Sequence, residues 1–473
     1  MSRKISGKVI AKGTLVAMTP LSVGGLGTGE HVDLELAEDG TGQTYIPGTG
    51  LAGPMRSWLE RRAKDADAAV QSLFGYIEQV GDKGMSSTLY VSDSPVENAF
   101  KERRHGISIQ DETGTTKPSF FYTRALLPRG TRLKLNMELD ILDDGQAAGA
   151  LALILEALQE GKIRFGACKT RGMGAMRLEG LTVDWYDFAG DGTALDLWLD
   201  GKAAPKQGLE ALAAFPRPEL KPERVFSVSI PWRAVSPVMV KAGRDGIEAD
   251  MLPLMSGVGG GNVAPVIPGS SIKGILRSQA RKILNTLFDS GDNVNEWPII
   301  ADLFGSKERA GRLTIDDVYY RPEEPVSLEK WLEEDVPSLD SVTERHQHVA
   351  IDRFTGGASD KALYSARPVK RDEQDKSGWE PIRLTLDASN VLSDENVRKE
   401  QALIKLLLRD MKDGYITIGF GSRRGLGEIE VGEIEYGEGF PEDSELQSAW
   451  DDFVGSDGKS FDVKEEADGN ERA

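Results

Sequence analysis

The residues best suited to chemistry in this chain are cations set among glycines, and they occur in two places. Phe165-Gly-Ala-Cys-Lys-Thr-Arg-Gly-Met-Gly174 carries Lys169, Arg171 and Gly172; Gly419-Phe-Gly-Ser-Arg-Arg-Gly-Leu-Gly427 carries Arg423, Arg424 and Gly425. Glycines let backbone N–H groups approach a polyanion closely, and the cations add charge-assisted hydrogen bonds to phosphate oxygens. One such loop alone reads as a tight turn; recurrence with a matched arginine favours phosphate. A second pair of segments points the same way. Tyr45-Ile-Pro-Gly-Thr-Gly-Leu-Ala-Gly-Pro-Met-Arg-Ser57 and Val266-Ile-Pro-Gly-Ser-Ser-Ile-Lys-Gly-Ile-Leu-Arg-Ser278 each read as a Pro-Gly turn, a hydroxyl residue suited to N-capping, and the start of an amphipathic helix. A helix N-terminus presents N–H groups to anions. The expected phosphate contacts are therefore Gly48, Thr49 and Arg56 in the first segment and Gly269, Ser270, Ser271, Lys273 and Arg277 in the second. No G-x-x-x-x-G-K-[ST] occurs, so a nucleotide P-loop is not indicated.

Two loop carboxylates share a spacing. Asp33 follows the pair Thr19-Pro20 at the same distance along the chain as Asp250 follows Ser236-Pro237. Loop aspartates are common in an acidic chain. A hard divalent cation, Mg2+ or Mn2+, can nonetheless be held by one carboxylate together with phosphate oxygens. His105, His346 and His348 are too scattered in sequence to suggest a metal site. Phe120, Phe121 and Tyr122 suit hairpin packing better than base stacking.

The elements that must position these residues repeat. Pro20 and Pro237 stand at an offset of 217 in the numbering, as do Asp33 and Asp250, and Gly29 and Gly246. The offset grows to 221 at Pro47 and Pro268, 230 at Phe74 and Phe304, 242 at Thr113 and Thr355, and 253 at Arg171 and Arg424. Offsets that only increase, in collinear order, mark a tandem duplication with insertions in loops. In that register the rival Asp245 meets Thr28, and His31, a conceivable base, meets Glu248; neither is shared. Lys273 meets Ala52. Each copy reads strand, loop, helix, strands with a hairpin, helix, glycine loop, strand. The expected fold is α+β: two ferredoxin-like (RRM-like, β-α-β-β-α-β) domains at 1–187 and 224–436, a linker at 188–223 and an acidic tail at 437–473.

Size and composition agree. The 473 residues are too many for one ordinary domain. No apolar run is long enough for a membrane span, and Met1-Ser-Arg-Lys-Ile does not open a signal peptide, which leaves the cytoplasm as the expected compartment. The single Cys168 excludes an internal disulfide. The net charge of −19 argues against nucleic acid at face value, but residues 438–473 alone hold twelve acids and three bases. Such a run is expected to be solvated or disordered, and a basic groove elsewhere remains open.

The Pro-Gly-Ser/Thr helix starts, the paired glycine loops and the Ile-x-x-x-Thr-Gly segments resemble the RAMP superfamily of CRISPR-associated proteins. Two fused copies look most like the tandem backbone subunit of type III (III-D-like) effector complexes. That resemblance implies an RNA-binding subunit in a ribonucleoprotein of antiviral defence, partnered by CRISPR guide RNA, target single-stranded RNA and other effector subunits. It implies thumb hairpins at Ile109–Gly114 and Ile351–Gly356, with Ile109, Thr113, Ile351 and Thr355 in the matching motif. It also implies a metal-dependent endoribonuclease (a hydrolase) whose loop aspartates, here Asp33 and Asp250, cut guide-paired target RNA with a divalent metal. The alternatives are a non-catalytic guide scaffold, or a guide-processing endoribonuclease that needs no metal.

Overall fold

The computed structural model describes residues 4–25, 32–77, 84–96, 100–110, 116–142, 145–189, 192–242, 246–288, 297–373, 376–456 and 458. The chain divides into two compact units. One comprises Met1–Gly106, Phe121–Lys169 and Met173–Glu223; the other comprises Ile107–Phe120, Thr170–Gly172 and Arg224–Ala473. Gly29, His31, Thr113 and Asp245, singled out above, lie outside the described residues.

The N-terminal half runs β1 (Gly7–Ala17), α1 (Gly48–Arg62), α2 (Ala66–Phe74), β2 (Leu89–Val91), β3 (Glu102–Ile109), β4 (Thr116–Leu126), β5 (Arg132–Ile141), α3 (Gln146–Gln159), β6 (Met176–Asp187), α4 (Thr193–Leu199) and β7 (Lys206–Gln207). Alternation along β1 sends Val9, Ala11, Leu15 and Ala17 into the core. That strand sits mid-sheet in the order β7-β6-β1-β5-β2, and every pairing is antiparallel. β3 and β4 form a separate two-stranded ribbon.

α3 is apolar on nearly all sides, from Ala147 to Leu158. The reason lies in residues 188–223, expected to be a linker. They carry α4, add β7 to the sheet edge, and bury Leu212 in the core that holds Leu151 and Leu155. The Pro216 carbonyl lies 1.9 Å from where a Cβ on Gly149 would stand. A helix covered by a sheet on one side and a chain segment on the other needs no polar face. Truncating a fully buried residue such as Leu155 to alanine costs about 2–5 kcal/mol.

The C-terminal half runs β8 (Val225–Ile230), β9 (Trp232–Ala234), β10 (Met255–Gly259), β11 (Asn262–Ile267), α5 (Gly269–Leu287), β12 (Leu313–Ile315), β13 (His346–His348), β14 (Tyr364–Ala366), β15 (Ile382–Asp387), α6 (Asp394–Lys412), β16 (Ile429–Val431), β17 (Glu435–Tyr436) and α7 (Asp443–Gly455). Its sheet is ordered β12-β15-β8-β17, with β9 paired to β16. Pro231, which has no N–H to give to a ladder, separates β8 from β9. β1 stays continuous at the similar place through a bulge between Lys12 and Thr14. In both halves the first strand pairs with the strands on either side of the second long helix.

The acidic C-terminal segment is not all solvated chain. Leu446, Ala449 and Phe453 recur at helical spacing, and α7 buries them, Phe453 within the core of the second unit. Residues 459–473 lie outside the described residues. Among the described residues no helix is long and apolar enough to cross a membrane.

Candidate functional site

α1 and α5 start alike, but not as the sequence predicts. The N-cap is Pro47 or Pro268, and neither helix has a side-chain cap of its own. Thr49 and Ser270 lie exposed in the first turn, and Ser271 is half-buried. The first amide goes to a carboxylate from a strand end: Gly48 N–H donates to Asp93 Oδ1 at 2.7 Å and Gly269 N–H to Asp317 Oδ1 at 2.8 Å. A negative charge there suits the helix dipole and repels phosphate from the same position. The two glycines answer to packing. A Cβ on Gly48 would stand 2.0 Å from the Val91 carbonyl oxygen, and one on Gly269 2.0 Å from that of Ile315.

Lys273, expected to reach phosphate, is buried and donates to the Leu313 carbonyl at 2.6 Å. Burial, with the charges of Arg171 and Arg277 adding to it, pushes its pKa down to about 7. This ammonium faces the protein interior. Arg56 and Arg277 are half-buried.

Each glycine loop closes on a single 3-10 turn, Lys169–Arg171 or Ser422–Arg424. The surrounding hydrogen bonds repeat. Gly174 donates to Pro20 O at 2.8 Å and Gly427 to Pro237 O at 2.9 Å; Phe165 donates to Gly174 O at 2.8 Å and Ile418 to Gly427 O at 2.9 Å. A Cβ on Gly174 would stand 1.9 Å from the Phe165 oxygen, and one on Gly427 2.3 Å from the Ile418 oxygen. These glycines let the loop lie against the end of the first strand. Arg171, Arg423, Arg424 and Gly425 are exposed at the surface of the turn, whereas Gly172 is buried. Lys169 is half-buried, and burial together with Arg61 holds its pKa below the usual lysine range.

Asp33 and Asp250 are both exposed, and their carboxylates are held alike, although the Asp33 N–H donates to Thr123 O and the Asp250 N–H to the Ser365 hydroxyl, both at 3.1 Å. Thr123 N–H donates to Asp33 Oδ2 at 2.7 Å; Ser365 N–H donates to Asp250 Oδ2 at 2.6 Å. The residue after each aspartate forms a parallel bridge with the same strand, Leu34 with Arg124 and Met251 with Ala366. Leu34 N–H donates to Thr123 O and Met251 N–H to Ser365 O, both at 3.1 Å; Ala125 donates to Leu34 O and Arg367 to Met251 O, both at 2.9 Å. Those strands, β4 and β14, are the return strands of the hairpins, and their partner residues stand at an offset of 242, that of the thumb motifs.

Around the carboxylates the halves differ. Ser365 adds its hydroxyl to Asp250 Oδ2 at 2.9 Å, and the Ser365 N–H and hydroxyl, with Lys241 nearby, hold that carboxyl below the usual aspartate range. The Thr123 hydroxyl instead meets His105 Nδ1 at 3.1 Å. His105 stacks on the exposed ring of Phe121, and desolvation with the Arg103 charge keeps its imidazole below the usual histidine range. Gln347, paired with Ser365, takes the place of His105 in the second half.

The second thumb motif forms a turn. In the second half Thr355 spends its N–H and hydroxyl on Asp352 Oδ1 at 2.8 and 3.2 Å, while Ile351 is exposed. Ile109 is likewise exposed at the end of β3; the tip beyond it, 111–115, lies outside the described residues. Sequence reasoning missed Thr123, Ser365 and Tyr364. All three carry a signal at matching positions of the 242 offset, a hydroxyl residue at 123 and 365 and a tyrosine at 122 and 364. Tyr364 accepts a hydrogen bond from the Arg424 guanidinium, which lies 5.7 Å from its ring centroid and 5.4 Å from that of Phe420.

Among the described residues no group of three or more His, Cys, Asp or Glu could enclose a metal ion. Each aspartate offers one carboxylate, one of whose oxygens already accepts an N–H. That donor set fits a hard, largely hydrated cation that takes its remaining ligands from water and phosphate, and not a protein-enclosed cage.

The family model described as RAMPs, the RAMP superfamily, matches residues 14–177 and 233–430. The two matched stretches coincide with the two halves described above. None of the curated proteins searched matches the chain.

Proposed function

The chain belongs to the RAMP superfamily, and from that premise we propose that it is a tandem backbone subunit of a type III-like CRISPR effector complex, which cuts guide-paired target RNA at Asp33 and Asp250. Membership itself implies a CRISPR-associated RNA-binding subunit. The finer reading adds a ferredoxin-like fold for each half, supported by the shared strand order, and a cytoplasmic complex with guide RNA, target RNA and neighbouring subunits. One observation carries the nuclease assignment: two carboxylates at equivalent places in the repeat are each bonded to a backbone N–H of the hairpin's return strand, at 2.7 and 2.6 Å.

Target RNA brings its own nucleophile, the 2′-hydroxyl, so the protein's part is geometry and charge. Arg171, Arg423 and Arg424 neutralise backbone phosphates next to the sheet. Thr123 and Ser365 hold Oδ2 of Asp33 and Asp250, and Oδ1 is the atom each would offer to the site. Asp33 and Asp250 would each hold a divalent cation, which when bound would supply charge neutralisation at the scissile phosphate. Sequence is read by base pairing, and the cations follow the backbone.

The test is Asp33→Ala and Asp250→Ala, singly and together, in the assembled complex with guide. Each substitution removes one specific cut by more than the ~10–100-fold that loss of a supporting contact costs, with guide binding retained. If the double variant leaves every cut in place, the subunit is a scaffold.

A further inference from the structure

We infer that Tyr364 is a positioning residue that couples the grip of Arg424 on the RNA backbone to the placement of Asp250. The inference rests on the proposed nuclease reading and deepens it for the second half alone. An exposed arginine in a glycine loop is ordinarily free to sample many rotamers, and here it is held. Its guanidinium donates to the Tyr364 hydroxyl and lies over the rings of Tyr364 and Phe420 at 5.7 and 5.4 Å. His348 stacks on Tyr364 at 4.9 Å with a 19° interplanar angle, which fixes the tyrosine from its own ribbon. The next residue, Ser365, gives both its N–H and its hydroxyl to Asp250 Oδ2, at 2.6 and 2.9 Å. Phosphate contact and carboxylate are thus joined through one peptide unit of β14. A pull on Arg424 moves Tyr364, and Ser365 moves with it.

The first half keeps the tyrosine and the arginine but not the rings around them. By the same offsets Tyr122 and Arg171 stand at the places of Tyr364 and Arg424, whereas Gly106 and Ala167 replace His348 and Phe420. The Tyr122 ring occupies the space above Gly106, reaching 2.1 Å from where a Cβ would stand. The coupling is argued for the Asp250 cut, and the Asp33 cut is its internal control.

Single-turnover cleavage at both positions, with guide and target affinities measured alongside, tests this in the assembled complex. Tyr364→Phe keeps the ring and loses the hydroxyl, and slows the Asp250-dependent cut about two- to tenfold, the range of one net hydrogen bond. Tyr364→Ala slows it further, so phenylalanine rescues in part. Both leave the Asp33-dependent cut and target affinity unchanged. Arg424→Ala slows the same cut, and combining it with Tyr364→Ala adds nothing further. Equal slowing of both cuts, or independent effects of Tyr364 and Arg424, overturns the coupling while the Asp250→Ala control upholds the nuclease. A cut that survives Asp250→Ala defeats the nuclease reading and the coupling with it. Tyr364→Phe, the smallest change, decides the matter if Tyr364→Ala does not fold.

Discussion

Asp33 and Asp250 share most of the backbone contacts that place them and little of the side-chain chemistry around them; the Asp33 N–H goes to the Thr123 carbonyl and the Asp250 N–H to the Ser365 hydroxyl. Both carboxylates accept an N–H from the return strand, and both are followed by a residue in a parallel bridge to it. Yet Asp250 also takes the Ser365 hydroxyl, while the Thr123 hydroxyl beside Asp33 turns to His105. The glycine loops repeat the pattern: identical stitching to the first strand, then Arg424 among rings in one half and Lys169 beside Arg61 in the other. After duplication the backbone frame was preserved by sterics, since a displaced carbonyl disturbs many partners. Side chains at the rim were free to diverge.

The largest effect that can break this equivalence is in the frame. Gly48→Ala and Gly269→Ala each force a Cβ to within 2.0 Å of a carbonyl oxygen, and each lowers stability by about 3 kcal/mol in urea denaturation. A mild result at one position alone means the two helix starts are not equivalent. Next comes the position where the frame is filled differently, Lys273 opposite Ala52. The lysine's folded pKa of about 7 lies below its ordinary value of 10.5, so between those pH values the unfolded chain binds more protons. Stability therefore rises with pH across that window, by at most ~1.4 kcal/mol per unit, and below pH 7 the full penalty of the buried charge persists. Lys273→Met removes that slope relative to the parent; an unchanged slope shows that the ammonium is solvated. The smallest effect is His105→Gln, which gives the first site the residue of the second. It alters only the Asp33-dependent cut, by about threefold or less, in single-turnover assays. A larger loss makes the two sites chemically distinct.

Much of this frame is legible in the chain. Growing offsets locate the repeats, and the apolar run of α3 and the alternation along β5 are plain in the residues themselves. The helix caps are not legible, because the capping carboxylates stand 45 and 48 residues away in sequence. A hydroxyl beside the proline looks the better candidate. Lys273 reads as a phosphate ligand because a cation in a first helical turn suits an anion site, and only packing reveals that it points inward. The segment 188–223 looks like a linker because its prolines and charges conceal how few apolar residues, Leu212 among them, are needed to cover a helix. Tyr364 does have a tyrosine counterpart, Tyr122, at the 242 offset, but its importance comes from a loop 60 residues away.

The parallel bridge after each aspartate frees the rest of its loop. The stretch from Asp250 to Pro268 is longer than its counterpart from Asp33 to Pro47. The added length extends a hairpin that both halves have: the Glu38–Thr44 bridge of the first stands where Met255 pairs with Pro265 in the β10–β11 ladder of the second, and the carboxylate anchor is unaffected. Evolution can lengthen or trim this stretch to suit new neighbours while the acid stays pinned to the hairpin opposite.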